Sequence, residues 1–235
     1  MNKKQKLREL VWKMLEQRKI AKFPGAFGRI PNFEEASKAG KNLFKLEIWK
    51  KANFIKSNPD SPQRIIREKA LLEGKTVYMA VPKLKELKCF IKLEPDKIKD
   101  KRFASTIKGA FILGKLVHPE EIEKIDLIVV GSVALNIDGK RLGKGGGYSD
   151  LEYAIGRYFG FVKENTPIVT TVHEIQIIDE EIPLLPHDIP VDYIITQERV
   201  IKTGEKLKKP DRILKEYLTE EKIESIPILK EILKS

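Results

Sequence analysis

The chain has 235 residues, enough to bury the core of one large domain, with 41% hydrophobic and 34% charged residues. No apolar run approaches the roughly 20 residues that span a bilayer, and the Lys-rich start lacks the apolar centre and small-residue cleavage site of a secretory signal, so a cytoplasmic protein without a membrane partner is expected. One cysteine, Cys89, excludes an internal disulfide and a multi-thiolate metal cage and reads first as a small buried hydrophobe, while a net charge of +11 favours an acidic partner without choosing between a nucleic acid and a polyanionic small molecule.

From Lys3 to Gln17, Leu7, Leu10, Val11, Met14 and Leu15 recur at three- and four-residue intervals, which predicts an amphipathic helix with a basic outer face. Phe23-Pro24-Gly25 and Ile30-Pro31 then punctuate an irregular loop of a length suited to covering a site, and Asn32 is placed to cap a helix from Phe33. Ser61 and Pro62 predict a further helix start, which Gly74 ends, and Lys75 to Val81 reads as a strand. Asp126 to Val133 is a continuous β-branched run, the pattern of a strand covered on both faces, and Pro167 to Val172 and Val191 to Thr196 look alike. A helix over Asp150 to Phe159 and two short helices between Arg212 and Leu233 complete an interleaved order of strands and helices. That order predicts an α/β fold: a single three-layer domain over residues 1–235, with a mixed, largely parallel central sheet and helices on both faces.

Chemistry concentrates between Arg141 and Asp150, where Gly143, Gly145, Gly146 and Gly147 fall within five positions. Glycine lets the backbone take positive φ and lets several N–H groups converge on one anion, and Ser149 to Glu152 has capping-box spacing that would aim a helix dipole at the same loop. The segment is neither a Walker loop nor a dinucleotide fingerprint, and by spacing alone it reads equally as a phosphate cradle or as a flexible turn before a capped helix.

The run Arg141-Leu-Gly-Lys-Gly-Gly-Gly-Tyr-Ser-Asp150 resembles the signature R-L-G-x-G-x-G-Y-Y-D of the 5-formyltetrahydrofolate cyclo-ligase (methenyltetrahydrofolate synthetase) family. Lys4-x-x-x-Arg8 and His187-Asp188-Ile-Pro-Val-Asp192 occur in the matching order, so the resemblance covers nearly the whole chain. Phe23-Pro24-Gly25, Arg29 to Phe33, Val130 to Ala134 and Gly147 to Tyr153 are similar to the divergent branch that includes the methenyltetrahydrofolate synthetase domain-containing proteins.

The resemblance implies an ATP- and Mg2+-dependent cyclo-ligase that closes 5-formyltetrahydrofolate to the 5,10-methenyl form. It places ATP on Lys4, Arg8, Arg141, Leu142, Gly143, Lys144, Gly145, Gly146, Gly147, Tyr148 and Ser149, and the magnesium ion on Asp150 and Asp188. Arg141 and Tyr148 are the candidates closest to the reaction, the first through charge and the second through a ring that can pack on the pterin or the adenine. His187 reads as orienting its neighbour, and His173 as either a core or a pocket residue.

Two departures stand in the folate half of the pattern: Ser149 replaces the second tyrosine, and the acidic residue expected ahead of the Ser61 helix has only Asp60 as a counterpart. They leave open an ATP-dependent enzyme of thiamin or related heterocycle metabolism. From a different class comes a basic RNA-binding or regulatory module, implied by the resemblance, whose branch includes relatives with an RNA-recognition domain, and by the net charge. Tyr158-Phe-Gly-Phe-Val162 only superficially resembles an RNA-recognition strand, since it ends a helical pattern and lacks the Lys/Arg-Gly lead and the trailing aromatic.

Overall fold

The computed structural model describes residues 2–204 and 207–234. In chain order the helices are α1 (Lys3–Gln17), α2 (Ala36–Phe44), α3 (Glu47–Lys51), α4 (Arg64–Leu72), α5 (Lys101–Ala104), α6 (Ile107–Leu113), α7 (Tyr148–Tyr158), α8 (Glu220–Ser225) and α9 (Pro227–Ile232). The strands are β1 (Phe54–Ser57), β2 (Thr76–Ala80), β3 (Phe90–Leu93), β4 (Lys115–Val117), β5 (Leu127–Val130), β6 (Ala134–Leu135), β7 (Arg141–Leu142), β8 (Ile168–Thr171), β9 (Tyr193–Ile195) and β10 (Val200–Lys202).

Eight strands form one sheet in the order β10-β9-β8-β5-β1-β2-β3-β4. The five central strands run parallel, and antiparallel strands finish each edge. The expected three-layer α/β domain is what forms. Strand β5 shows why: Leu127 and Val129 point into a core shared with α2, α4 and α6, while Ile128 and Val130 point into a second core shared with α7 and α9. All four side chains are buried, each contributing roughly 1.5–3 kcal/mol, so only a strand covered on both faces satisfies the run.

A third apolar cluster seats α1 on the small β6–β7 hairpin through Leu7, Val11, Trp12 and Leu15. The expected stripe shifts here: Leu10 stays exposed, and Trp12 turns inward because its indole donates to the Arg29 carbonyl at 3.0 Å. Cys89 is buried as expected, and desolvation pushes its thiol pKa up to about 12.

Three helix starts differ from the sequence pattern. Asn32 caps nothing, since Phe33 is held in a bridge with Ala21 and α2 begins three residues later behind Glu35 in the left-handed region. Asp60, one residue before Ser61, is the residue that enters the short 3-10 turn leading into α4. The helix expected from Asp150 starts at Tyr148, because Gly147 takes a φ of 65° and begins it without a side-chain cap. Ser149 and Glu152 therefore lie inside the helix and turn to other partners. Strand β1 was not marked by the sequence at all, because a lysine interrupts its apolar pattern.

Candidate functional site

From β1 the chain works outward to β4 on one side of the sheet, then returns to β5 on the other side of β1 and continues to β10. The loops after β1 and β5 therefore diverge, and such a switch point at the carboxyl ends of parallel strands is where open α/β sheets hold ligands. Asn58, Pro59 and Asp60 follow β1 and Gly131 follows β5. All four line a cleft of about 320 Å³ with Ile30, Val81, Gly143, Gly146, Tyr148 and Ser149. Ile30 is the contribution of the loop expected to cover a site. A Cβ on Gly131 would stand 2.8 Å from Ile30 and 3.0 Å from Asp60, so glycine is what lets that loop close in.

One wall is the glycine segment between β7 and α7. Gly145 and Gly147 take φ values of 105° and 65°, and a Cβ on Gly146 would lie 2.9 Å from the Tyr148 ring, so three of the four glycines are required by conformation or contact. The backbone amides of Gly143 to Gly147 donate to no other described residue. Beside the unbonded first turn of α7 they gather partial positive charge at one place.

Cations from distant parts of the chain meet this wall. Arg8 donates through Nε to the Gly143 carbonyl at 2.6 Å, and its guanidinium passes alongside Gly145. Burial lowers the Arg8 pKa first, Arg141 acts in the same direction, and Asp188 and Asp150 oppose them. Arg141 lies inward rather than over the loop: Nη1 donates to Gly131 O at 2.9 Å and Nη2 to Asp150 Oδ1 at 3.0 Å, while its buried Nε meets no acceptor among the described residues. Lys144 is half-exposed and stands 3.6 Å from Asp60. Leu142 is buried in the cluster beneath α1, so its side chain serves packing.

The two aspartates are neighbours. Asp150 Oδ1 also accepts the Ile189 amide at 3.0 Å, and the adjacent Asp188 binds Lys4 and accepts the Leu185 amide at 2.6 Å on Oδ2. Each carboxylate thus keeps one oxygen outside these bonds, Oδ2 of Asp150 and Oδ1 of Asp188, the latter 3.7 Å from His187 Nε2. Two free carboxylate oxygens beside converging backbone amides are donors of the kind magnesium takes, which binds one or two carboxylates and completes its shell with water and other oxygens.

The facing wall is made of paired side chains. Asn58 donates to the Ser149 hydroxyl at 2.6 Å and accepts from Lys56 at 3.2 Å, and Lys56 forms an ion pair with Glu152 in which both side chains are only 5% exposed. Desolvation raises the Glu152 pKa, with the Lys56 charge opposing it. Behind them, fully buried Arg67 donates to the carbonyls of Asn58, Pro59, Asp60 and Ser105, and desolvation lowers its pKa to about 9.

The family model for the 5-formyltetrahydrofolate cyclo-ligase family matches residues 1–197. The chain belongs to that family. It is 39% identical over 97% of its length to the Bos taurus methenyltetrahydrofolate synthase domain-containing protein, and 38% identical over 97% to the Homo sapiens one. This chain spans 61% of the length of each of those two relatives. A Mycolicibacterium smegmatis 5-formyltetrahydrofolate cyclo-ligase is 30% identical over 35% of the chain and 39% of its own length. The Aquifex aeolicus 5,10-methenyltetrahydrofolate synthetase superimposes with a TM-score of 0.52 over 87% of this chain and 96% of its own, at 22% identity, which places the two in one fold.

Among the expected site positions, Lys4 bonds Asp188, Arg141 bonds Asp150, and Arg8 bonds the Gly143 carbonyl, so residues from α1, β7, α7 and the 185–189 turn come together at the glycine loop. Sequence reasoning missed Asn58, Lys56 and Gly131, whose roles depend on partners far along the chain, and Arg67, whose acceptors are main-chain carbonyls. It also missed Lys222, whose Nζ donates to the Gly146 carbonyl at 2.7 Å. His173 proves structural: it caps a 3-10 turn and packs edge-on against Phe33, and burial lowers its pKa. Tyr158 ends α7, and Phe161 and Val162 are buried in the core, so that segment offers no exposed aromatic strand to RNA. No described helix is long and apolar enough to cross a membrane.

Proposed function

We propose that the cleft binds ATP with magnesium beside a formylated heterocycle and that the protein is an ATP-dependent cyclo-ligase, with 5-formyltetrahydrofolate the first substrate to test. The observation that carries this reading is the row of amides from Gly143 to Gly147 without partners among the described residues, bordered by Arg8 and by the Asp150–Asp188 pair at the switch point of the sheet. Such an arrangement suits a triphosphate. Asp150 and Asp188 would hold the metal, which when bound supplies neutralisation of phosphate charge.

The matching reaction moves the terminal phosphoryl group of ATP to the formyl oxygen. The neighbouring substrate nitrogen then bonds the formyl carbon and gives up its proton, which leaves with the phosphate as the carbon–oxygen bond breaks, giving the ring-closed product, ADP and phosphate. Because the nucleophile belongs to the substrate, the protein has to position two reactants and stabilise charge. Arg8 fixes the loop through Gly143, Arg141 holds Asp150 in place from behind, and Tyr148 presents a ring edge against Gly146. Incubating pure protein with 5-formyltetrahydrofolate, ATP and magnesium and following the near-ultraviolet absorbance of the methenyl product tests this reading, and appearance of that band is the expected result.

A second reading keeps ATP and changes the heterocycle. It is favoured by the Asn58–Ser149 hydrogen bond, which stands where the family pattern has an aromatic ring, and by the buried Lys56–Glu152 pair beneath it. A wall that offers no aromatic ring at Ser149 and whose polar groups already bond one another fits a ring of different shape from the pterin, such as those of thiamin metabolism. Saturable ATP uptake without turnover of 5-formyltetrahydrofolate is the outcome that selects it.

A further inference from the structure

Helix α8 lies beyond residues 1–197, the part of the chain that matches the family, yet one of its side chains enters the site. Lys222 Nζ donates to the Gly146 carbonyl at 2.7 Å, stands 4.8 Å from the centre of the Tyr148 ring, and is 3.2 Å from where a Cβ on Gly147 would be. Its neighbours are therefore a neutral carbonyl and an aromatic face, and among the described residues it forms no ion pair. Burial lowers its pKa, and the more distant Asp150 charge opposes that shift.

Lys222 is half-buried, and an ammonium partly desolvated without a carboxylate partner loses hydration that no counter-charge replaces. Here it is held beside five amides that have no acceptor among the described residues and beside the positive end of α7, so charges and partial charges of one sign are crowded together. Its position is fixed rather than accidental. Thr219 caps α8 by accepting the Lys222 amide at 3.2 Å, and Ile226, Ile228 and Leu229 just beyond are buried in one core with Leu151 and Ile155 of α7.

We propose that Lys222 is a phosphate-binding residue and that the C-terminal segment carrying it completes the polyphosphate site. On entry of a polyphosphate its ammonium leaves the Gly146 carbonyl and bonds a non-bridging phosphate oxygen across the loop. The identity of the ligand as a nucleotide rests on the reading of the glycine segment above, whereas the place of Lys222 rests on its own contacts.

The test is titration calorimetry of ATP with magnesium, and separately of inorganic tripolyphosphate, into the full chain and its Lys222→Gln and Lys222→Arg variants. Loss of one charge-assisted contact should weaken both ligands by roughly ten- to a hundredfold in Lys222→Gln, with Lys222→Arg recovering most of the loss. Unchanged affinity for both ligands in Lys222→Gln overturns the proposal. A chain that takes up tripolyphosphate in a Lys222-dependent way but not ATP keeps the proposal and overturns the nucleotide reading, and a chain that takes up neither overturns both. Should Lys222→Gln fail to fold, acylation of amines in the unsubstituted protein decides: protection of Lys222 by saturating tripolyphosphate supports the proposal, and equal labelling with and without it overturns it.

Discussion

The wall of the cleft from Gly143 to Gly147 is main chain bordered by cations, with amides that donate to no described residue, whereas the wall formed by Asn58, Ser149, Lys56 and Glu152 consists of side chains that already bond one another. The first is a surface whose strongest interactions are left for a ligand. The second is a rigid shape whose polar groups are largely satisfied before any ligand arrives, so it selects by fit rather than by charge. Substitutions on the satisfied wall should therefore appear mainly in stability, and those on the open wall mainly in binding.

The sharpest way to break that contrast is Glu152→Ala, which leaves Lys56 buried without its partner. It should cost about 3–5 kcal/mol of stability, a fall in melting temperature of roughly 6–20 °C, while the fraction that stays folded still binds ATP. A melting point within about a degree of the parent would show that the pair is no strut.

Arg141 and Arg8 sharpen the comparison from the other wall. Arg141 is buried and bonded to Gly131 and Asp150, so Arg141→Met should lower both the melting temperature and ATP affinity, against the simpler sequence-based expectation of a purely ligand-facing arginine. Arg8→Met, on a half-buried side chain of α1, should weaken ATP by roughly tenfold or more and leave the melting temperature within a few degrees, read by calorimetry and thermal denaturation in parallel.

Ser149→Ala is a smaller perturbation. It removes the acceptor for Asn58 and should cost about 1 kcal/mol of stability while raising the KM of the heterocyclic substrate rather than the Kd of ATP.

The smallest effect belongs to His173, remote from both walls. Burial lowers its pKa below 6.5, so the unfolded chain binds its proton more readily and stability falls as the pH drops below about 6.5. His173→Gln should flatten that acid-side decline in melting temperature without changing ATP affinity at neutral pH.

The open wall was readable in the sequence because its chemistry is local. Four glycines in five positions, a following helix and one flanking arginine carry the signal in a single window, and β5 was equally plain because all its side chains are buried. The satisfied wall was not readable. Lys56 looks like a break in a weak strand until Glu152, far along the chain, neutralises it inside the fold. Ser149 and Glu152 matched a capping box and became partners of Asn58 and Lys56, because the positive φ of Gly147 started α7 earlier and turned both inward. Lys222 carried no signal beyond the cap of its own short helix, and only packing of α9 against α7 brings it to the loop.

Calorimetric titration of ATP into folded protein, with magnesium present and then withheld, tests the central claim most directly. One saturable site per chain that weakens without magnesium, and again in Arg8→Met, is the predicted result. Protein that melts cooperatively yet takes up no ATP in either condition would contradict it.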